Sequence, residues 1–181
     1  MSTQACTIYL VRHGETEWNK IGRMQGHTDI PLNRAGVSQA HELRTILDSI
    51  DFYAVYASDL KRALDTARIL IHNKNIKIQR DKDLRERSFG MYEGKPSVET
   101  WNELRLVLDM HDDTHPLTAH NKVETNNQMR KRVMKQLLLH IGYSQPHQFP
   151  KGSIQNLAYI KLSIHNTVVK VEDIHGITLC N

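Results

Sequence analysis

The run Thr7-Ile8-Tyr9-Leu10-Val11-Arg12-His13-Gly14 constrains this chain more than any other stretch. A β-branched, alternating apolar run that ends in Arg-His-Gly reads as a strand delivering a histidine at its carboxyl end, where open α/β sheets place their ligands. Gly14 lets the backbone turn sharply and come close to a bound group. Arg12 supplies a planar fork of donors that suits phosphate oxygens, and a ring nitrogen of His13 can attack phosphorus.

The rest of the chain predicts an α/β fold, a mostly parallel sheet flanked by helices. Strand-like runs at residues 7–11 and 53–57 alternate with helical patterns over about 33–50 and 60–72. In the first helical pattern Ala35, Ala40, Leu43, Ile46 and Leu47 recur at helical spacing, with Asn33 as the cap. A short strand follows at 76–79. Val98, Trp101, Leu104 and Leu108 fit a helix from 96 to about 110, ahead of a polar loop over 111–121. Met129, Val133, Leu137 and Ile141 share one helical face that ends at Gly142, and the runs 157–164 and 167–171 read as strands joined by a turn at His165-Asn166. No repeat, low-complexity tract or linker divides the chain, so residues 1–181 form one domain.

Composition excludes several function classes. A net charge of +4 and a pI near 9.1 suit anionic substrates. The basic residues are scattered without interleaved aromatics, which argues against nucleic acid as a partner. Cys6 and Cys180 have no CxxC spacing, so neither a disulfide framework nor a thiolate metal site is expected, and reduced cytoplasmic thiols are. With no signal-peptide core and no apolar stretch of membrane-spanning length, the expectation is a soluble cytoplasmic protein. His111, His115 and His120 lie among Asp112, Asp113, Pro116 and Asn121, the composition of a solvated loop rather than a metal site.

Four blocks stand in order along the chain: VRHGETEWN, GRMQGHTDIPLNRAGVSQA, YASDLKRALDTA and LRERSFGMYEG. Together they resemble the histidine phosphatase superfamily, the clan of phosphoglycerate mutases and acid phosphatases. The resemblance implies a phosphohistidine intermediate at His13, with Arg12, Asn19 and Arg62 holding the phosphoryl oxygens and Glu86 as general acid. Arg62 gains this reading from the block around it, and Asn19 has the alternative of a simple turn residue. Glu15 and Glu17 are assigned structural work; Arg87 is left open between pairing with Glu86, touching substrate and a surface ion pair. Residues 91–124 would cover the pocket and set substrate choice. No metal or organic cofactor is implied, although a mutase would need a phosphorylated primer. The FGMYEG block favours a phosphatase acting on a small phosphorylated metabolite over a phosphoglycerate mutase.

One part that the resemblance implies is missing. Relatives carry a second histidine in a strand-ending His-Gly pair late in the chain, and here Glu124-Thr125 runs on into the helical pattern that ends at Gly142. This reads as an internal deletion of about 25 residues, judged from usual element lengths. His175-Gly176 has the right dipeptide but stands where relatives have a tail, and His140 lies on an apolar helical side. Losing one charged donor to a phosphoryl transition state costs about 3 kcal/mol, a hundredfold in rate. The lost strand in relatives lies mid-sheet beside the first, so two repairs are expected: neighbouring strands close the gap, or the C-terminal strands exchange with a second copy in a homodimer. The competing expectation is a non-catalytic phosphate-ester-binding or interaction protein, or a decayed product that keeps the residues without turnover.

Overall fold

The computed structural model describes residues 6–108, 121–125, 128–129, 152–165 and 168–179. The expected strand after the N-terminus forms as β1 (Cys6–Val11), and a single-turn helix α1 (Glu17–Lys20) follows the Arg-His-Gly turn. Helix α2 (Arg34–Leu47) begins where the side chain of Asn33 accepts from the N–H of Gly36 at 2.8 Å. Its buried stripe is Gly36, Ala40, Leu43 and Leu47, a 4-3-4 spacing that keeps one face toward the core. Ala35 and Ile46, expected on that stripe, are exposed. The helical period selects the neighbouring positions instead.

A β-α-β unit comes next: β2 (Val55–Ala57), α3 (Lys61–Leu70) and β3 (Ile78–Arg80), with β2 and β3 parallel and Val55 opposite Ile78. Leu60 at the start of α3 has no capping side chain. Asp29 does that work from a distant loop, accepting from the N–H of Lys61 at 2.7 Å.

The sheet corrects the expectation of mostly parallel pairing. β4 (Gly152–His165) lies antiparallel to β1, with Cys6 opposite Ile164 and Val11 opposite Tyr159, and β5 (Val168–Leu179) lies antiparallel to β4. Among the described residues only β2–β3 is parallel. The β4–β5 pairing follows from the short stretch of sequence between them, as expected; the antiparallel seat of β4 against β1 is what departs from the expectation. β5 also extends past the expected end at 171, through Glu172, Asp173 and Gly176. Charge is tolerated there because β5 sits at the margin of its sheet, where Glu172 accepts from the Ser163 hydroxyl at 2.6 Å and Lys170 lies 3.3 Å away.

The strands fall into two sheets, β1-β4-β5 and β2-β3. Both rest on one helical layer. Ala40, Leu43 and Leu47 of α2 with Leu70 and Ile71 form the core, and Tyr9 and Val11 from β1, Val55 from β2 and Ile78 from β3 pack against it. Among the described residues β1 and β2 do not pair, and β4 pairs with β1 of its own chain.

A second cluster, Met24, Phe89, Tyr92, Leu104 and Val123, gathers α4 (Ser97–Leu108) and residues 121–125 over the 88–92 turn. Glu124 N–H donates to the carbonyl of Ser88 at 2.9 Å, and the N–H of Ser88 donates back to the Glu124 carboxylate at 3.2 Å. Gly90 is required at this contact: its φ is +53°, and a Cβ would stand 1.9 Å from the carbonyl oxygen of Asn121. Thr125 caps the helical start beyond it, its hydroxyl accepting from the N–H of Gln128 at 3.1 Å. Most of the expected 125–142 helix and nearly all of the histidine-rich loop, with His140 and His111, His115 and His120, lie outside the described residues. Among the described residues no helix is long and apolar enough to cross a membrane, and no cluster of three metal-ligating side chains occurs.

Candidate active site

Three chain turns converge where β1 ends. The first carries Arg12, His13 and Gly14; the second is the start of α3, which carries Arg62; the third is the segment after β3, which carries Glu86. The first turn is fixed from two sides. The N–H of Gly14 donates to the Thr66 hydroxyl at 3.1 Å, and that hydroxyl donates to the carbonyl of Arg62 at 2.8 Å. Gly14 and Gly36 face each other with no room for side chains: a Cβ on Gly36 would stand 2.1 Å from the carbonyl of Glu15. Glu15 is structural, as expected. Its N–H donates to Gln39 at 3.0 Å and its carboxylate accepts from the Asn33 amide at 2.7 Å.

His13 presents one nitrogen to the site. Nδ1 lies 2.7 Å from the carbonyl of Gly14, and because a carbonyl only accepts, Nδ1 carries the proton. Nε2 is left with its lone pair, facing the Nε–H of Arg62 at 3.2 Å. Burial, opposed by the Gly14 carbonyl and reinforced by the charges of Arg62 and Arg12, pushes the imidazole down to about 4. The ring is neutral at physiological pH, and the lone pair on Nε2 is available to attack an electrophile.

Arg62 is 1% exposed. Nη1 donates to the carbonyl of Thr28 at 2.9 Å, and Nη2 donates to the carbonyl of Gly26 at 2.7 Å and to Glu86 Oε2 at 3.2 Å. The guanidinium plane is thereby set by a backbone turn, with its Nε edge toward His13. Burial lowers the pKa of Arg62, partly offset by the charge of Glu86. Arg12, half-buried, is lowered by burial as well, with Glu86 raising it and Arg62 adding to the fall. Both stay protonated, since arginine does not lose its proton in proteins.

Glu86 is raised above its ordinary value, chiefly by burial, while Arg62 and Arg12 pull it back down. Its side chain is 42% open to solvent, so water tempers that rise. A carboxyl group shifted in this direction can hold a proton for a leaving alkoxide. His27 borders it, Nε2 lying 3.0 Å from the carbonyl of Glu86.

Asn19 caps α1 through its Oδ1 and its backbone N–H, a role compatible with the expected donation from Nδ2 to phosphate. Its Oδ1 accepts from the N–H of Thr16 at 3.1 Å and its own N–H donates to the Thr16 hydroxyl at 3.1 Å, the reciprocal cap of α1. Those are the bonds of its alternative reading, a turn residue. Arg87 donates to the carbonyl of Glu124 at 3.0 Å, tying the acid's segment to residues 121–125. His175 is level with Tyr159, which is level with Val11. Its backbone thus stands two strand spacings, roughly 10 Å, to the side of β1.

Several residues that build the site escape sequence reasoning. Thr66 joins the histidine turn to the arginine helix, and the carbonyls of Gly26 and Thr28 fix Arg62. Glu93 accepts from the N–H groups of His27, Thr28 and Phe89. All of these residues stand in the four blocks, which assign them no task.

Comparison with known proteins agrees with this geometry. Residues 8–148 match the profile of the histidine phosphatase superfamily, branch 1. The chain is 34% identical over 127 residues to the uncharacterized phosphatase PhoE of Bacillus subtilis (strain 168), covering 70% of this chain and 60% of that protein. It is 38% identical over 131 residues to the fructose-2,6-bisphosphatase TIGAR of Xenopus tropicalis, covering 70% of this chain and 46% of that one. The chain thus spans less than two thirds of the length of these curated relatives. The crystal structure of phosphoglycerate mutase from Bacillus anthracis str. Sterne superposes with a TM-score of 0.75 at 21% identity, covering 94% of this chain and 92% of that one, a likeness of fold. A strand-end histidine beside two arginines and a carboxyl group, on a chain whose sequence matches over residues 8–148, places this protein in the histidine phosphatase superfamily.

Proposed function

We propose that this chain is a phosphomonoester phosphatase that works through a phosphohistidine at His13, on a small phosphorylated metabolite. One observation carries the reading: Nδ1 of His13 is tied to the Gly14 carbonyl, so Nε2 offers its lone pair beside Arg62 and Glu86. In the first step Nε2 attacks phosphorus, the ester P–O bond breaks, and the leaving oxygen takes the proton of Glu86. Arg62 and Arg12 carry the charge spread over the remaining phosphoryl oxygens. Once Nε2 bonds to phosphorus, the Nε–H of Arg62 no longer has a lone pair to meet and turns to a phosphoryl oxygen. In the second step the Glu86 carboxylate takes a proton from water, whose oxygen attacks phosphorus. The N–P bond breaks and inorganic phosphate leaves. The names of relatives, phosphatases and a mutase, support phosphoryl chemistry on small metabolites; the mutase is the runner-up.

A second reading has its own observation. Arg62 donates to His13, two carbonyls and Glu86 at once, a resting arrangement suited to holding a phosphate ester without turning it over. Hydrolysis of an activated aryl phosphate between about pH 5 and 8, beside His13→Ala, decides between them. The phosphatase reading expects activity and acid-labile phosphoprotein in the wild type, and a loss of at least about a thousandfold in the variant. Phosphate binding without hydrolysis would establish the binder instead. A homodimer is also proposed, for among the described residues the sheets of β1 and β2 do not pair; a monomer mass by light scattering would remove it.

A further inference from the structure

Four donors converge on the carboxylate of Glu93. Oε1 accepts from the N–H of His27 at 2.9 Å and from that of Phe89 at 3.1 Å. Oε2 accepts from the N–H of Thr28 at 2.8 Å and from its hydroxyl. An ionised carboxylate only accepts and meets all four, whereas a carboxamide would turn an NH2 group toward donors.

The other side of the same turn faces Arg62. The carbonyl of Gly26 accepts from Nη2 and that of Thr28 from Nη1. The peptide group joining Gly26 to His27 therefore has its C=O on the guanidinium and its N–H on the carboxylate. Thr28 repeats the arrangement with its own C=O and N–H. Two opposite charges are linked through peptide dipoles, each polarising the bond that the other makes. The fit is tight: Gly26 has φ +57°, and a Cβ there would stand 2.3 Å from Glu93 Oε1.

The geometry points to Glu93 as a positioning residue of this site: its carboxylate fixes the 26–28 turn and, through it, the plane of Arg62 in front of His13. This extends the reading above, in which Arg62 holds the phosphoryl group. Glu93 also turns negative charge toward Glu86. Burial raises the acid first, Arg62 and Arg12 oppose it, and Glu93 adds to the rise.

The test uses the full chain with Glu93→Gln, Glu93→Asp and the milder Thr28→Val. Calorimetry gives the affinity for inorganic phosphate, and carbon NMR of the Glu86 carboxyl gives its titration midpoint, which needs neither ligand nor turnover. Glu93→Gln is expected to weaken phosphate binding about tenfold and to lower the Glu86 midpoint, since Arg62 and Arg12 remain while the opposing charge is gone. Glu93→Asp keeps the charge and should return the midpoint and part of the affinity. Thr28→Val removes one donor and should weaken phosphate binding by roughly threefold. A folded Glu93→Gln protein that melts earlier yet keeps both wild-type readouts would overturn the proposal. If that variant does not fold, Thr28→Val decides, and unchanged phosphate affinity overturns it. Wild-type protein that binds phosphate but hydrolyses no ester would sink the phosphatase reading and leave the role of Glu93 standing. No phosphate affinity in the wild type, with an unmoved Glu86 midpoint in Glu93→Gln, would sink both.

Discussion

The loops around His13 and the C-terminal hairpin hold together by different means. Around His13 the chain is fixed by side chains on distant backbone groups: Thr66 on Gly14, Arg62 on Gly26 and Thr28, Glu93 on His27 and Thr28. The hairpin of β4 and β5 is fixed by its own backbone ladder, and its backbone lines β1. A ladder tolerates changes of side chain because the main chain makes its bonds. A loop held by buried polar side chains does not, because removing one partner strands the other. The hairpin should therefore govern stability and the loops should govern function.

Four measurements sharpen or break that contrast. Arg62→Ala leaves two carbonyls without their donor and removes the charge beside His13. It should cost about 3 kcal/mol of stability and at least a hundredfold in phosphate affinity, read by denaturant unfolding and calorimetry. Leu162 on β4 is 3% exposed. Leu162→Ala should cost about 2–4 kcal/mol of stability and leave the phosphate affinity of the folded protein unchanged; a parallel loss of affinity would break the distinction.

The third measurement is a pH series. His13, held at about 4 in the folded chain, binds a proton more readily when unfolded. Its contribution to stability is complete above the unfolded value near 6.5 and is lost as pH falls from there to about 4. Glu86 is shifted the other way. Its contribution is present below the ordinary carboxylate value and is lost as pH rises through its raised folded value. Hydrolysis should accordingly rise as His13 loses its proton and fall as Glu86 loses its own, and Glu86→Gln should abolish the alkaline fall. The smallest effect belongs to His175→Ala, which should leave aryl phosphate hydrolysis within about twofold of wild type. A large loss would make the hairpin part of the site.

Much of this was legible in the residues. The strand ending at Val11, the Asn33 cap, both helices of the α2–α3 layer and the pairing of His13, Arg62 and Glu86 follow from period, capping chemistry and the four blocks. The misses share a cause. Ile46 is as apolar as Leu43, and only packing decides which of them faces the core. The cap that Asn19 makes on α1 shows only once Thr16 is placed against it. Mostly parallel pairing was expected from alternating strands and helices, but among the described residues β4 lies antiparallel against β1.

The sequence by itself determined the family, the candidate nucleophile and the short-range elements, because these depend on residue type and on spacings of a few positions. The tertiary structure alone decided which nitrogen of His13 faces the site, which carbonyls orient Arg62, and that Glu93 lies behind them. The first is made by a bond to the adjacent Gly14 carbonyl, but the other two are made by hydrogen bonds between residues 34 to 66 positions apart, as from Thr28 to Arg62 and from His27 to Glu93. Local sequence carries no record of such partners, and burial without them would be too costly for the groups involved.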